Sequence, residues 1–394
     1  MRRNLLALAG VILVAVVAGD VWGQVQYTVT DLSGPPGYTF SQAYGVNNSG
    51  QAVGQAQDNG PTAAFLYTNG SMQDLTPLGG SALGINDNGQ VVGYTKNSNG
   101  SFDAFLYSAG ITQDLGTLPG YTSYSQASAI NDSGQIVGYS ENSIGSTHAF
   151  LYSGGTMQDL GTFGGPRSLA NAINNSGQVV GYAWNKSLQE YAFLYSGGTM
   201  QDLGTLPGYT YASDALDINN SGQVVGYSES NGGAAHYFLL SGGTMQDLNN
   251  LIATSSGWTL YSVNAINDEG QIVGDGLDPS GHDGAFLYSD GMMEDLNNLI
   301  SPSSDWTLDD ATAINDNGQI VGWGVGPNGE NGFLLTPTPE PSSLILLAAG
   351  AFSVLGYGWR RRQRAARTSV SVENGAQATL SFPSRLPEAM RRAA

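Results

Sequence analysis

Short apolar runs alternate with short polar breaks along residues 25–336, and the alternation recurs over a long period. The polar breaks carry one signature, N-[ND]-x-G-Q-x-V-G. It begins at residues 47, 86, 131, 174, 219, 267 and 315, seven copies spaced 39, 45, 43, 45, 48 and 48 apart. A second signature follows each break. AFLY stands at 64–67, 104–107, 149–152, 192–195 and 285–288, with YFLL at 237–240 and GFLL at 332–335 in the remaining slots. An Asp-Leu ending comes third, as QDL at 73–75, 113–115, 158–160, 201–203 and 246–248 and as EDL at 294–296.

Each unit predicts four short strands. The first ends at the Ile-Asn before the break, as in SALGIN (81–86), and the second is of the GQVVGY type (89–94). Asn-Asp-x-Gly between them is a tight turn, because Asn and Asp bond their own backbone and Gly tolerates positive φ. AFLYS is the third strand and TMQDL the fourth, joined by turns such as Ser153-Gly154-Gly155-Thr156. The second and third strands are near-continuous apolar runs, so both their faces must be covered. A sheet standing between two similar sheets meets that need. Four strands in roughly 45 residues fit a β-propeller better than a β-helix. The expected fold is therefore all-β, a seven-bladed propeller of four-stranded blades over residues 24–336. The last unit has no Asp-Leu strand of its own. YTVTDL (27–32) supplies one, so the N-terminal strand is expected to complete the last blade and close the ring.

The two ends break this pattern. Residues 1–23 read as a signal peptide. Arg2 and Arg3 form its positive start, Leu5–Ala18 its apolar stretch, and cleavage falls before Gln24 with Ala18 as a competing site. Residues 343–359 are a second apolar stretch of 17 residues without a charge, at the short limit for a transmembrane helix. Pro339-Glu340-Pro341 precedes it, and Arg360, Arg361 and Arg362 follow, which would hold that side in the cytoplasm. The order Pro-Glu-Pro, apolar helix, Arg cluster resembles the PEP-CTERM sorting signal of bacteria (337–364). That resemblance implies an exported cell-surface or matrix protein, anchored at least transiently and processed by an exosortase-type membrane enzyme, often near exopolysaccharide functions. A tail of residues 365–394 follows and reads as disordered. The body between resembles the HAF-repeat family of bacterial extracellular proteins, whose triplet here is His148-Ala149-Phe150. That family implies no catalytic activity.

Charge narrows the partners. Residues 24–336 hold three basic side chains, Lys96, Arg167 and Lys186, against 28 acidic ones. Such a surface repels nucleic acid. The absence of Cys excludes disulfides and thiol chemistry. Of the three histidines, His148, His236 and His282, the first two share one slot at the mouth of the third strand and read as structural. The Asp residues ending each fourth strand (Asp31, Asp74, Asp114, Asp159, Asp202, Asp247, Asp295) read as caps on the following loop. Calcium is their one chemical alternative, and no cofactor is otherwise expected. The N-x-S triplets at Asn47, Asn174 and Asn219 belong to the turns. The loops from fourth strand to next first strand carry PGYT at 36–39, 119–122 and 207–210, and the two longest carry Trp258 with Tyr261, and Trp306. Tyrosines of PGYT are expected to pack back between blades. Trp258, Tyr261 and Trp306 are the candidate ligand contacts, because aromatic faces beside Asn, Asp and Ser suit sugar rings. The expected function is a non-enzymatic disc that binds exopolysaccharide, other glycan or a surface protein. The alternative is a propeller-type glycosidase or lyase, which needs paired carboxylates or a His near the channel, and Asp309-Asp310 is the one acidic pair in a suggestive loop.

Overall fold

The computed structural model describes residues 27–338, apart from residues 36, 59, 61, 77–78 and 253–255. The described residues all fall in one compact unit, which ends at Thr338. The signal peptide, the Pro339-Glu340-Pro341 motif, the apolar stretch, Arg360–Arg362 and the tail lie outside the described residues. Among the described residues no helix is long and apolar enough to cross a membrane.

Every repeat forms its antiparallel strands in chain order. In the third, Tyr124–Ile130, Ile136–Glu141, Thr147–Ser153 and Thr156–Gly161 pair in succession. The turn glycines of the seven signatures take φ of 71° to 78°, as the break required. The first strand bulges by one residue in the same place in six repeats, for example between Ala127 and Ala129. The bulge brings its backbone onto the second strand, where a Cβ on Gly138 would collide with the Gln126 carbonyl. That close approach is why the signature ends in Gly. The Phe of each third strand (Phe65, Phe105, Phe150, Phe193, Phe238, Phe286, Phe333) lies opposite such a Gly and is fully buried. Apolar second and third strands therefore pack between neighbouring sheets, each cluster drawing on consecutive repeats.

The expectation of seven separate four-stranded blades is corrected by the hydrogen bonding, which forms six sheets. The third and fourth repeats share one eight-stranded sheet through a parallel pairing of Thr147 with Arg167. The cause is local. The fourth repeat has GGPR where its neighbours have PGYT, so its first strand lengthens to ten residues, Gly164–Ile173, and reaches beside the preceding third strand. In the sixth repeat the first strand is split into Thr259–Leu260 and Ala265–Ile266, because Tyr261 and Ser262 both donate to the Asp275 carbonyl. Tyr27–Asp31 lies antiparallel to Gly329–Pro337, from Tyr27 opposite Pro337 to Asp31 opposite Phe333.

Candidate functional site at the loop end of the channel

The seven first strands surround a central channel whose two ends differ. At the turn end, the first Asn of each signature is buried and its Nδ2 donates to the carbonyl of the equivalent Asn in the next repeat. Seven such bonds of 2.8–3.1 Å run from Asn47 to Asn86, Asn131, Asn174, Asn219, Asn267, Asn315 and back to Asn47. The second residue of each signature forms an outer circle. Its amide donates to the next repeat's side-chain oxygen, through Asn48, Asp87, Asp132, Asn175, Asn220, Asp268 and Asp316. A collar of Val46 and six Ile residues lies next to the ring. This end is a hydrogen-bonded cap with little freedom to adapt to a ligand.

At the loop end six of the second strands carry aromatic or acidic residues. Tyr94, Tyr139, Tyr182 and Tyr227 occupy four of these positions, Asp275 and Trp323 two more, and Gln55 the seventh. Tyr124 packs against Tyr94 and Tyr139 with ring centroids 6.2 and 5.7 Å away. Burial pushes the phenols of Tyr94, Tyr124, Tyr139, Tyr182 and Tyr227 above their ordinary pKa. Carboxylates stand among them. Asp214 is buried and accepts from Asn171 Nδ2 at 2.9 Å; burial and then the Glu190 charge push its pKa well up. Asp310 repeats this arrangement with Asn264 at 2.8 Å and is pushed up to about 6 by burial, then by Asp275. Burial also raises Glu190, which accepts from Trp184 Nε1 at 3.1 Å. Asp217 is raised to about 6 by burial while accepting from the amides of Ile218 and Ile266, so it ties the fifth repeat to the sixth.

Trp258, Tyr261 and Trp306 are placed differently from one another. Trp258 is half-buried, edge-on to Phe286 at 6.0 Å, in the cluster of the fifth and sixth repeats. Trp306 is half-buried, edge-on to Phe333 at 6.2 Å, in the next cluster along. Tyr261 is exposed, and its carbonyl accepts the Tyr237 hydroxyl. The PGYT tyrosines pack back as expected. Tyr121 lies 5.1 Å from His148 and Tyr209 stacks at 4.2 Å on His236. Those His residues bond Asp159 and Asp247 through Nδ1 at 2.8 and 2.7 Å, and His282 is exposed. The seven strand-four Asp residues each accept the amide two residues on. Among the described residues no group of three His, Cys, Asp or Glu side chains is placed to hold a metal ion.

The sequence reading passed over Arg167, Trp184, Glu190 and Asp214. Their signal was departure from the repeat: GGPR for PGYT, a Trp after GYA, and Asp where most first strands carry Gln, Ser or Leu.

Residues 163–330 match a protein family of unknown function, DUF3466, and residues 337–362 match the PEP-CTERM protein-sorting motif. No curated protein matches the sequence. Among solved structures, the β-propeller domain of the Trilobed protease from Pyrococcus furiosus, described as having an open velcro topology, is similar with TM-score 0.50 and 10% identity, covering 76% of this chain and 94% of that one. YCF48 bound to D1 peptide has TM-score 0.43 and 11% identity, covering 81% and 97%. The fucose-recognising six-bladed lectin of Aleuria aurantia has TM-score 0.36 and 15% identity, covering 77% and 100%. The Pyrococcus likeness supports an all-β propeller. It speaks neither for seven separate blades nor for closure by the N-terminal strand. The sorting motif supports an exported, membrane-associated extracellular protein.

Proposed function

We propose that this chain is a non-enzymatic surface or matrix protein that holds a glycan or a surface protein on the loop end of its propeller. The asymmetry of the channel carries the reading: one end is locked by hydrogen bonds, the other presents tyrosines among carboxylates. Trp258, Tyr261 and Trp306 are the proposed outer contacts, with Tyr261 the most exposed of them. Residues 343–359 hold the chain at the membrane, and an exosortase-type enzyme processes it; the matched motif supports both steps. The resemblance of the repeat to HAF-repeat extracellular proteins agrees with this role. A glycan and surface-protein array probed with the detergent-solubilised full chain tests it. Selective binding that a Trp258→Ala/Tyr261→Ala/Trp306→Ala variant loses is the expected result. An empty array would overturn it.

One observation favours the glycosidase or lyase alternative: Glu190 and Asp214, from adjacent repeats, are each shifted toward the protonated form, by burial first and then by acidic neighbours. Release of reducing ends from a polysaccharide, abolished by Asp214→Asn, would establish that reading instead.

A further inference from the structure

The junction of the fourth and fifth repeats differs from the others at the loop end. Arg167 is the one arginine between residues 24 and 336. It is exposed, and among the described residues it makes no ion pair although 28 carboxylates share that span. Its guanidinium instead lies over the Trp184 ring, 5.1 Å from the centroid. The other edge of Trp184 is fixed by its Nε1–H bond to Glu190. The Trp184 ring is therefore held before any ligand arrives, which limits the entropy lost on binding. Across the junction stand Asp214 and Tyr227 of the fifth repeat, and the charges of Asp214, Glu190 and Glu229 all bear on the Tyr227 phenol. The charges of Glu190, Asp214 and Arg167 also bear on the Tyr182 phenol.

This set combines aromatic rings, carboxylate acceptors and an unpaired guanidinium fork. A sugar ring needs all three: an apolar C–H face against a π surface, acceptors for its hydroxyl hydrogens and donors to its oxygens. An ammonium ligand would use the rings and carboxylates but would be opposed by Arg167. A uronate would use Arg167 but face Glu190 and Glu229. We propose that the Arg167–Trp184–Glu190 junction with Tyr182 and Tyr227 is a binding subsite for one neutral hexopyranose unit of a polysaccharide. The subsite rests on the loop-end reading above and gives it a location and a ligand class.

Affinity electrophoresis of the solubilised full chain through dextran, mannan and galactan, with polygalacturonate as the anionic control, tests it. At least one neutral polymer should retard the wild type, and Arg167→Ala should weaken that retardation about tenfold in apparent affinity. Arg167 is exposed, so its removal should leave the thermal midpoint in place; Trp184→Phe, which keeps a ring but loses the bond to Glu190, is the second variant. Unchanged retardation in both variants would overturn the subsite and leave the loop-end reading standing. Preferential retardation by polygalacturonate would overturn the neutral class. A wild type that no neutral polymer retards would overturn the subsite and remove the glycan half of that reading.

Discussion

Opening one joint of the inner asparagine ring should cost more than any exposed substitution on the same turn. Asn131 is 3% exposed. Its Nδ2 donates to Asn174 O at 3.0 Å and to Gln135 Oε1 at 2.8 Å, while Oδ1 accepts the amides of Ser133 and Gln135 at 3.1 and 3.0 Å. Asn131→Ala deletes all four and strands a buried carbonyl. At about 1 kcal/mol per bond, the loss is roughly 3–4 kcal/mol. Asn131→Asp should be at least as harmful above its pKa, because an oxygen then faces two acceptor oxygens. Asn175 provides the control. It is exposed, and its side chain bonds only Asp132 at the surface. Nδ2 donates to the carboxylate at 2.7 Å and Oδ1 accepts the Asp132 amide at 3.0 Å. Asn175→Ala should cost about 1 kcal/mol or less. Urea unfolding followed by tryptophan fluorescence measures both. If Asn131→Ala costs no more than Asn175→Ala, the ring is decoration on a body held together by its strands.

Three further outcomes are expected. Asp217 and Asp310 have folded pKa values near 6, above the ordinary carboxylate value of 3.8, so the stability they favour is present at acid pH and lost as pH rises through 6. For Asp217, whose carboxyl lies between the amides of Ile218 and Ile266, the whole shift corresponds to about 3 kcal/mol, of which about 1.4 kcal/mol is lost between pH 5 and pH 7.5; the thermal midpoint should be higher at pH 5 than at pH 7.5, and a midpoint that rises over this range would contradict the burial argument. Gly138→Ala drives a methyl into the Gln126 carbonyl and should cost about 3 kcal/mol or more; calorimetry showing an unchanged midpoint would mean that the bulge can relax. Trp306→Ala removes a ring that covers Gly326 and meets Phe333, at a cost of about 2 kcal/mol for a half-buried side chain, and a neutral effect in the same assay would return Trp306 to a purely outward role.

Repetition made the strands legible. Each signature states its own turn chemistry, and seven copies agree on where Gly must take positive φ and where Phe must be covered. The sheet count was not legible in the same way. The fusion of the third and fourth repeats follows from a single departure, GGPR for PGYT, whose effect is to extend Gly164–Ile173 far enough for Arg167 to pair with Thr147. A period-based reading averages over such departures. The asparagine ring was hidden for a different reason: turn formation already explains each Asn, and its bond to the next repeat appears only when the repeats close in space.

Most loop-end residues went unread because each departs from the pattern in a single repeat, and Asp310 drew notice only as half of the pair Asp309-Asp310. The bulge adds to this: it shifts the first strand by one residue, so strict alternation from the Ile-Asn end does not give the face of positions such as Asp214 and Asp310. Composition then misdirects, since a Trp in a long loop looks available and a Trp in a strand looks structural. The structure makes Trp258 and Trp306 wedges against phenylalanines. Trp184, a strand residue and half-buried as they are, lies beneath the body's lone arginine. In a repeat protein the shared residues build the scaffold, and a binding specificity needs asymmetry. The positions where one repeat departs from its siblings are therefore the better guide to function, and one group of them, Arg167, Trp184, Glu190 and Asp214, lies at the junction of the fourth and fifth repeats.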